Sequence, residues 1–361
     1  MAMNTTPNSS RIHIAIFGYR NAGKSTLINA FTGQDIAIVN AKSGTTTDPV
    51  SKAMEILPLG PCLVTDTAGL DDDEPDIGAQ RVKKSLNVLS VTDVAIWVGD
   101  KIDPKFASIC AERKIAVFQY RRGDNVDDLK KRIAALDIVE ATRPLVADFM
   151  MPGDFAVLVC PIDSAAPKGR LILPQQQVIR EILDRGATAV VCKESELAST
   201  LSRVARPKCV ITDSQVFSTV RSIVPRDIPL TSFSILFARA KGDIDEFRKG
   251  AAKIQELKDG DKILISEGCT HHRQCEDIGT VKLPKWLSAK TGKKLSFEFT
   301  SGGTFPADLS SYALVVHCGG CTLTRRQVME RISLCRAANV PIVNYGLAIA
   351  ICNGIELPDF P

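Results

Sequence analysis

The chain has 361 residues, 45% of them apolar and 24% charged, the balance of an ordinary globular protein. Forty-five Lys and Arg face 41 Asp and Glu, a net charge of +4 with the signs interspersed, which argues against a dedicated nucleic-acid or membrane-surface protein. No apolar run approaches the roughly 18 residues of a membrane span, and the polar start MAMNTTPNSS has no charged-then-apolar secretion pattern, so a cytoplasmic location is expected. Single cores stop growing near about 250–300 residues, so two or three domains are expected. Eleven cysteines against four histidines are the unusual count. In a reduced compartment an odd number of thiols reads as buried filler or ligands rather than a disulfide framework.

Along the chain, short apolar runs alternate with amphipathic stretches, so an α/β fold of mostly parallel sheets flanked by helices is expected. The first block, residues 11–143, opens with a strand at Ile12–Phe17 and ends in a helical stretch from Val126 to about Thr142. Pro152-Gly153 punctuates the chain before a strand at Phe155–Cys160. The second block, 144–237, continues with helix 175–184, strand 187–192, helix 194–203, strand 208–212 and helix 214–223, closing near Pro229–Phe237. A charged helical linker, Lys241–Leu257, leads through the third block, 238–361. Its strands are expected at Lys262–Ser266, Leu295–Phe299, Tyr312–Val316 and Pro341–Asn344, with a helix across 324–338.

Gly18-Tyr-Arg-Asn-Ala-Gly-Lys24-Ser25 fits G-x-x-x-x-G-K-S/T, between an apolar strand and the helix-compatible Thr26–Phe31. Glycines in such a loop let backbone N–H groups wrap a polyphosphate, and the following helix N-terminus adds its dipole. Lys24 would neutralise β/γ oxygens and Ser25 would offer its hydroxyl to Mg²⁺. Gly18, Asn21, Ala22, Gly23, Lys24, Ser25 and Thr26 are the candidate nucleotide contacts. Asp66-Thr-Ala-Gly69 follows the run Cys62–Thr65, so the Asp66 carboxylate is expected at a strand end, where a Mg²⁺ carboxylate belongs. The Gly69 N–H can report the γ-phosphate. Between them, Gly44-Thr45-Thr46-Thr47-Asp48 is a hydroxyl-rich loop of the kind that closes on Mg²⁺ and the γ-phosphate, with Thr46 as the expected ligand. Lys24, Thr46 and Gly69 are the expected catalytic residues.

These residues resemble GTPases of the translation-factor-like class, nearest the tRNA-modification and ribosome-assembly branch. The resemblance implies GTP with Mg²⁺, and Leu70 where other GTPases carry a water-positioning glutamine. It gives Asn21 a share in holding a K⁺, with a simple turn role as the alternative. One element departs from the pattern. The guanine-reading Asn-Lys-x-Asp should follow the strand Ile115–Tyr120, where the chain reads Arg121-Arg122-Gly123-Asp124, and no Ser-Ala-Lys loop follows. Asp124 is either the reader of the guanine edge or a plain turn aspartate, so base selectivity is weakly supported.

Cys269-Thr-His271-His272 comes directly after one expected strand, and His317-Cys318-Gly-Gly-Cys321 directly after another. Loops at the carboxyl ends of neighbouring parallel strands converge on one crevice, so both motifs face one site if these strands are neighbours. Cys-x-x-Cys lets two thiolates reach one metal, and the glycines between them free amides to bond sulfur. Ligand chemistry leaves three readings open: tetrahedral Zn²⁺, a [4Fe–4S] cluster on three cysteines with one iron open or weakly held, and a redox dithiol. Cys62, Cys160, Cys192, Cys209, Cys335 and Cys352 fall in apolar strands and helices and are expected core filler. Cys275 is a candidate spare ligand and His13 a packing residue.

A phosphate-loop GTPase and a Cys-x-His…His-Cys-x-x-Cys pair in one chain resemble the [FeFe]-hydrogenase maturation GTPase family, HydF. Ala166-Pro-Lys-Gly-Arg-Leu-Ile-Leu-Pro-Gln175 looks like that family's central dimerisation domain, and Asn344-Tyr-Gly346 fits its last domain; the likeness covers nearly the whole chain and weakens only in the stretch after about Asp100. The resemblance implies a GTPase domain over 11–143, a dimerisation domain over 144–237 and an iron–sulfur domain over 238–361. It implies a scaffold that holds a diiron precursor beside its own [4Fe–4S] cluster and passes it to apo-hydrogenase. Radical-SAM maturases would be further partners, the chain would be a homodimer or higher oligomer, and no nucleic acid or membrane would be bound. Cys269, Cys318 and Cys321 would hold the cluster, with His271, His317 or a nearby carboxylate at an exchangeable fourth iron. The competing reading is a ribosome- or tRNA-associated GTPase with a structural zinc domain. Only 6% of residues are aromatic and no basic stripe is visible, which gives that reading no RNA-binding module.

Overall fold

The apolar run after Arg11 becomes the central strand of the first sheet, Ile12–Gly18 (β1), in a computed structural model that describes residues 6–33, 50–71, 85–136, 143–162, 171–269 and 277–356. The chain divides into two compact units, Met1–Glu140 and Ala141–Pro361. In the first, Val50–Ile56 (β2), Gly60–Asp66 (β3), Val94–Val98 (β4) and Ala116–Tyr120 (β5) complete a sheet of order β2-β3-β1-β4-β5. All pairs are parallel except β2 with β3. The strand β2 was not foreseen; it is an edge strand with mostly exposed or half-buried side chains, so it has no apolar run to read.

Helices Lys24–Thr32 (α1), Pro104–Glu112 (α2) and Val126–Ala134 (α3) cover this sheet. Ile14 and Ile16 of β1 pack with Leu27 and Phe31 of α1, while Ala15 and Phe17 pack with Trp97 and Phe106. A strand apolar on both faces is what a parallel sheet covered on both sides demands. The helix expected to run to Thr142 ends at Ala134, and 137–142 lie outside the described residues. Its start is fixed by Asn125, whose Oδ1 accepts from the Asp127 and Asp128 amides at 2.8 and 3.2 Å.

The second unit holds two parallel four-stranded sheets. Phe155–Val159 (β6), Thr188–Cys192 (β7), Cys209–Thr212 (β8) and Leu230–Ser232 (β9) have order β7-β6-β8-β9. Lys262–Ser266 (β10), Ser296–Thr300 (β11), Leu314–His317 (β12) and Ile342–Asn344 (β13) have order β11-β10-β12-β13. The connecting helices are Leu173–Asp184 (α4), Leu197–Arg203 (α5), Phe217–Ile223 (α6), Phe233–Lys241 (α7), Ile244–Lys253 (α8), Leu283–Thr291 (α9), Arg325–Ala337 (α10) and Tyr345–Cys352 (α11). One core joins side chains of both sheets, including Val157 and Val210 with Ile263, Val315 and Val343. The two blocks separated in the sequence therefore bury apolar surface against each other.

Two segments are more integral than their sequence suggested. The expected linker contains α8, whose Phe247 and Ala251 are buried. At Gly250 the helix backbone lies directly on β13, where an added Cβ would stand 1.9 Å from the Ile342 carbonyl oxygen. The segment at Pro229–Phe237 forms β9 and the buried start of α7, capped by Ser232 Oγ on the Ile235 amide at 3.3 Å. Cys62, Cys110, Cys160, Cys192, Cys209 and Cys335 are buried and Cys352 partly so, the behaviour of small hydrophobes. Among the described residues no helix is long and apolar enough to cross a membrane.

Candidate functional site

Phosphate-loop residues follow β1 without interruption. Gly23 stands at the N-cap of α1 with φ 98°, and Asn21 takes the left-handed conformation at φ 60°. Lys24 is 8% exposed, and its ammonium donates to the Gly18 and Tyr19 carbonyls at 3.2 and 2.7 Å. Burial lowers its pKa, against the opposing pull of Asp66 and Asp71. Asp66 ends β3, as expected, and its Oδ2 accepts from Ser25 Oγ at 3.1 Å. Its Oδ1 is buried with no hydrogen-bond partner, and burial raises the carboxyl pKa. A hydroxyl beside an orphaned carboxylate oxygen fits a hard cation such as Mg²⁺.

The Asp66–Gly69 segment folds onto this loop. Thr67 Oγ1 donates to the Ile16 carbonyl at 2.7 Å, and the Leu70 amide to that of Gly18 at 3.3 Å. Gly69 passes so close that a Cβ would be 2.8 Å from the Arg20 nitrogen, which itself donates to Asp71 Oδ1 at 2.5 Å. Thr26 is exposed on α1 and Ala22 half-buried in the loop. Thr46 lies outside the described residues. Asp124 lies beyond β5, its Oδ2 accepting from the Arg121 amide at 2.7 Å, which is the bond of a turn aspartate.

The cysteine site depends on β10 and β12, which are parallel neighbours with Ser266 opposite His317. Their carboxyl ends bring Cys269 and Cys318 to one crevice. The Cys318 amide donates to the Ser266 carbonyl at 3.0 Å, and Thr322 Oγ1 to that of Gly268 at 2.8 Å. Cys318 Sγ accepts from the Gly268 amide at 3.0 Å and the Gly320 amide at 3.4 Å, so one glycine of the motif and one beside Cys269 supply N–H groups to sulfur. Burial pushes the Cys269 thiol up to about 12 and Cys318 to about 11, and Cys321 is raised by the same cause. The nearby Cys318 and Cys321 raise Cys269 further. Among the described residues no group of three or more His, Cys, Asp or Glu side chains is assembled to hold a metal ion. His271, His272 and Cys275 lie outside those residues. The donor set itself, three thiols at neighbouring strand ends with amides aimed at sulfur, fits a thiolate-bound cluster.

His317 is 1% exposed, and both ring nitrogens are engaged. Arg331 Nη1 donates to Nε2 at 3.2 Å, which leaves Nδ1 to donate to the Cys318 carbonyl at 2.7 Å. Burial and the neighbouring guanidinium lower its pKa to about 4. In this arrangement the ring has no nitrogen to offer a metal, contrary to the ligand role considered for it.

Three residues at the crevice were not singled out in the sequence. Arg331, 4% exposed on α10, also donates to Ser266 Oγ at 3.2 Å and the Gly302 carbonyl at 2.6 Å. Lys241, at the end of α7, donates to the carbonyls of Gly320, Cys321 and Leu323 at 3.1, 3.0 and 2.7 Å. Burial lowers its pKa to about 8. Glu267 is buried beside Cys269 and accepts from Tyr345 Oη at 3.3 Å. The Glu267-Gly-Cys269 adjacency was visible in the sequence. Lys241 lies some 80 residues before the motif and Arg331 within the helix that follows it, and neither forms part of a recognisable motif.

Fold and loop together define a phosphate-loop GTPase domain, and residues 13–135 match the family model described as 50S ribosome-binding GTPase. Residues 145–242 match the Hydrogen maturase F dimerization domain, and 245–357 the Hydrogen maturase F tetramerization domain. The chain belongs to the hydrogen maturase F (HydF) family. The tRNA modification GTPase MnmE of Paramagnetospirillum magneticum is 40% identical over 91 residues, 25% of this chain and 20% of the relative. That of Verminephrobacter eiseniae is 28% identical over 158 residues, 43% of this chain and 30% of the relative. These alignments thus span between 20% and 30% of the relatives' length. An Era variant of Aquifex aeolicus bound to GDP and aluminium fluoride is a similar solved structure, at 15% identity, with 80% of this chain and 92% of that chain covered and a TM-score of 0.25.

Proposed function

We propose that this chain is a hydrogenase maturation scaffold that binds and hydrolyses GTP with its first unit and carries a [4Fe–4S] cluster and a diiron precursor with its second. The observation that carries the reading is the pairing of β10 with β12, which gathers Cys269, Cys318 and Cys321 at adjacent strand ends in a HydF-family chain. These three would hold the cluster, and His271 or the buried Glu267 carboxylate is better suited to a fourth iron than His317. A cluster with one iron not held by cysteine supplies an exchangeable position at which cargo can bridge. In the first unit, Lys24 is poised to exchange its loop carbonyls for phosphate oxygens, and Asp66 Oδ1 with Ser25 Oγ would serve Mg²⁺. Thr46 would complete the cation site, Gly69 would contact the γ-phosphate, and Asn21 would contact K⁺. With Asp124 Oδ2 spent on its own turn, tight guanine discrimination is not expected from that residue.

The family models named for dimerization, over 145–242, and tetramerization, over 245–357, support a homo-oligomer; in this reading 144–237 is the pairing region and 238–361 also the cluster region. Apo-hydrogenase and radical-SAM maturases are the proposed partners, in the cytoplasm. Anaerobic reconstitution with iron and sulfide should give a brown protein with sulfur-to-iron absorption. That colour should be lost in the Cys318→Ser, Cys321→Ser double variant. A colourless protein holding stoichiometric zinc would overturn the reading in favour of a structural zinc domain.

A further inference from the structure

Two cations converge on the Cys318–Cys321 loop from different helices. Lys241 of α7 spends its three N–H bonds on the carbonyls of Gly320, Cys321 and Leu323. Arg331 of α10 acts one step removed: it holds His317 Nε2, and His317 Nδ1–H holds the Cys318 carbonyl. The Cys321 carbonyl therefore meets a positive charge directly, and the Cys318 carbonyl meets a neutral imidazole that the Arg331 guanidinium polarises. Within the same loop the Gly320 amide points at Cys318 Sγ. Among the described residues neither cation has a carboxylate within ion-pair distance. Arg331 is nonetheless almost wholly buried and stays charged at any ordinary pH. A buried charge with no carboxylate in contact is costly; the thiols of Cys321 and Cys318 are placed to offset Lys241, and that of Cys318, with the more distant Glu330 carboxylate, to offset Arg331.

We propose that Lys241 and the Arg331–His317 pair are positioning residues that form a fixed cationic seat for the Cys318–Cys321 loop, balancing the negative charge of a thiolate-bound cluster and favouring its reduced form. This rests on the cluster reading above. A cluster held by three thiolates gains one negative charge on reduction, so a nearby fixed cation stabilises the reduced state more than the oxidised one. Lys241 supplies both charge and hydrogen bonds, and substitution can separate them. Lys241→Gln keeps N–H donors without charge, Lys241→Met removes both, and Lys241→Arg keeps both.

The test is a redox titration of the reconstituted full-length protein followed by electron paramagnetic resonance, with iron content measured in parallel. Lys241→Gln and Lys241→Met should each lower the midpoint potential enough to cut the ratio of reduced to oxidised cluster tenfold at fixed potential, about 59 mV for one electron. Lys241→Arg should restore the wild-type value. Loss of cluster iron from both neutral variants, with retention in Lys241→Arg, would equally support the seat. Wild-type potential and iron content in the neutral variants would overturn it. Arg331→Lys gives an independent reading should the Lys241 variants fail to fold: its midpoint should stay closer to wild type than that of Arg331→Gln, and equal midpoints would overturn the role of Arg331. A wild-type protein that takes up no cluster would instead overturn the cluster reading itself.

Discussion

The phosphate loop and the cysteine crevice both lie at the carboxyl ends of parallel strands, yet they are put together differently. One strand, its loop and the next helix, Ile12–Thr32, supply the phosphate loop in succession, and among the described residues Asp66, Gly69 and Asp71 reach it from elsewhere. The cysteine crevice takes sulfur from the ends of β10 and β12, a cation from α7, and a second from α10. Electrostatics follow the same division. Lys24 donates to carbonyls of its own loop and faces the carboxylates of Asp66 and Asp71. Lys241 and Arg331 are held by backbone and neutral side chains, leaving their charge for whatever binds at sulfur. A contiguous site can be damaged one residue at a time, whereas an assembled one is sensitive to packing at a distance.

That contrast can be broken experimentally. The largest effect is expected at Lys24→Ala, which should lower GTP hydrolysis about 100-fold or more while leaving the fold intact. Wild-type turnover should also be faster in K⁺ than in Na⁺. Phosphate release checks both, and unchanged turnover in the variant would remove Lys24 from the catalytic set. A change far from any sulfur should come next. Gly250→Val puts side-chain atoms against the Ile342 carbonyl and should destabilise the second unit by about 3 kcal/mol. Denaturant unfolding would measure this, and GTP hydrolysis should survive. If hydrolysis fell in parallel, the separation of the two sites would be wrong.

The smallest effect compares helix caps. Asn125 caps α3 in the first unit, and Thr324 caps α10 three residues after Cys321, with the Gln327 amide donating to its Oγ1 at 3.2 Å. Alanine at either position should cost about 1 kcal/mol. Because α10 carries Arg331, only Thr324→Ala should also weaken iron retention after reconstitution; equal retention in the two variants would remove that distinction.

Much of the chemistry was legible from residue order alone. Gly18–Ser25, Asp66-Thr-Ala-Gly69 and Cys318-Gly-Gly-Cys321 each encode a local shape in consecutive residues, and the parallel sheets are written in apolar runs such as β1, β6 and β12. The sequence also placed both cysteine motifs directly after strands. It could not say that those strands are neighbours, since strand order depends on how sheets and helices share a core. Nor could it distinguish α8 from a linker, because the burial of Phe247, Gly250 and Ala251 depends on packing that includes a distant strand.

His317 is the clearest case of what tertiary structure decided. Beside Cys318 it reads as a ligand, but Arg331, fourteen residues on and one helix away, occupies its second nitrogen. Lys241 reads as the start of a charged segment, yet it caps three carbonyls of the Cys321 loop. Short-range patterns fix which groups can do chemistry, because the backbone geometry of a turn or strand end is set within a few residues. Which of those groups stay available, and which charges stand behind them, is fixed by contacts between segments far apart in the chain.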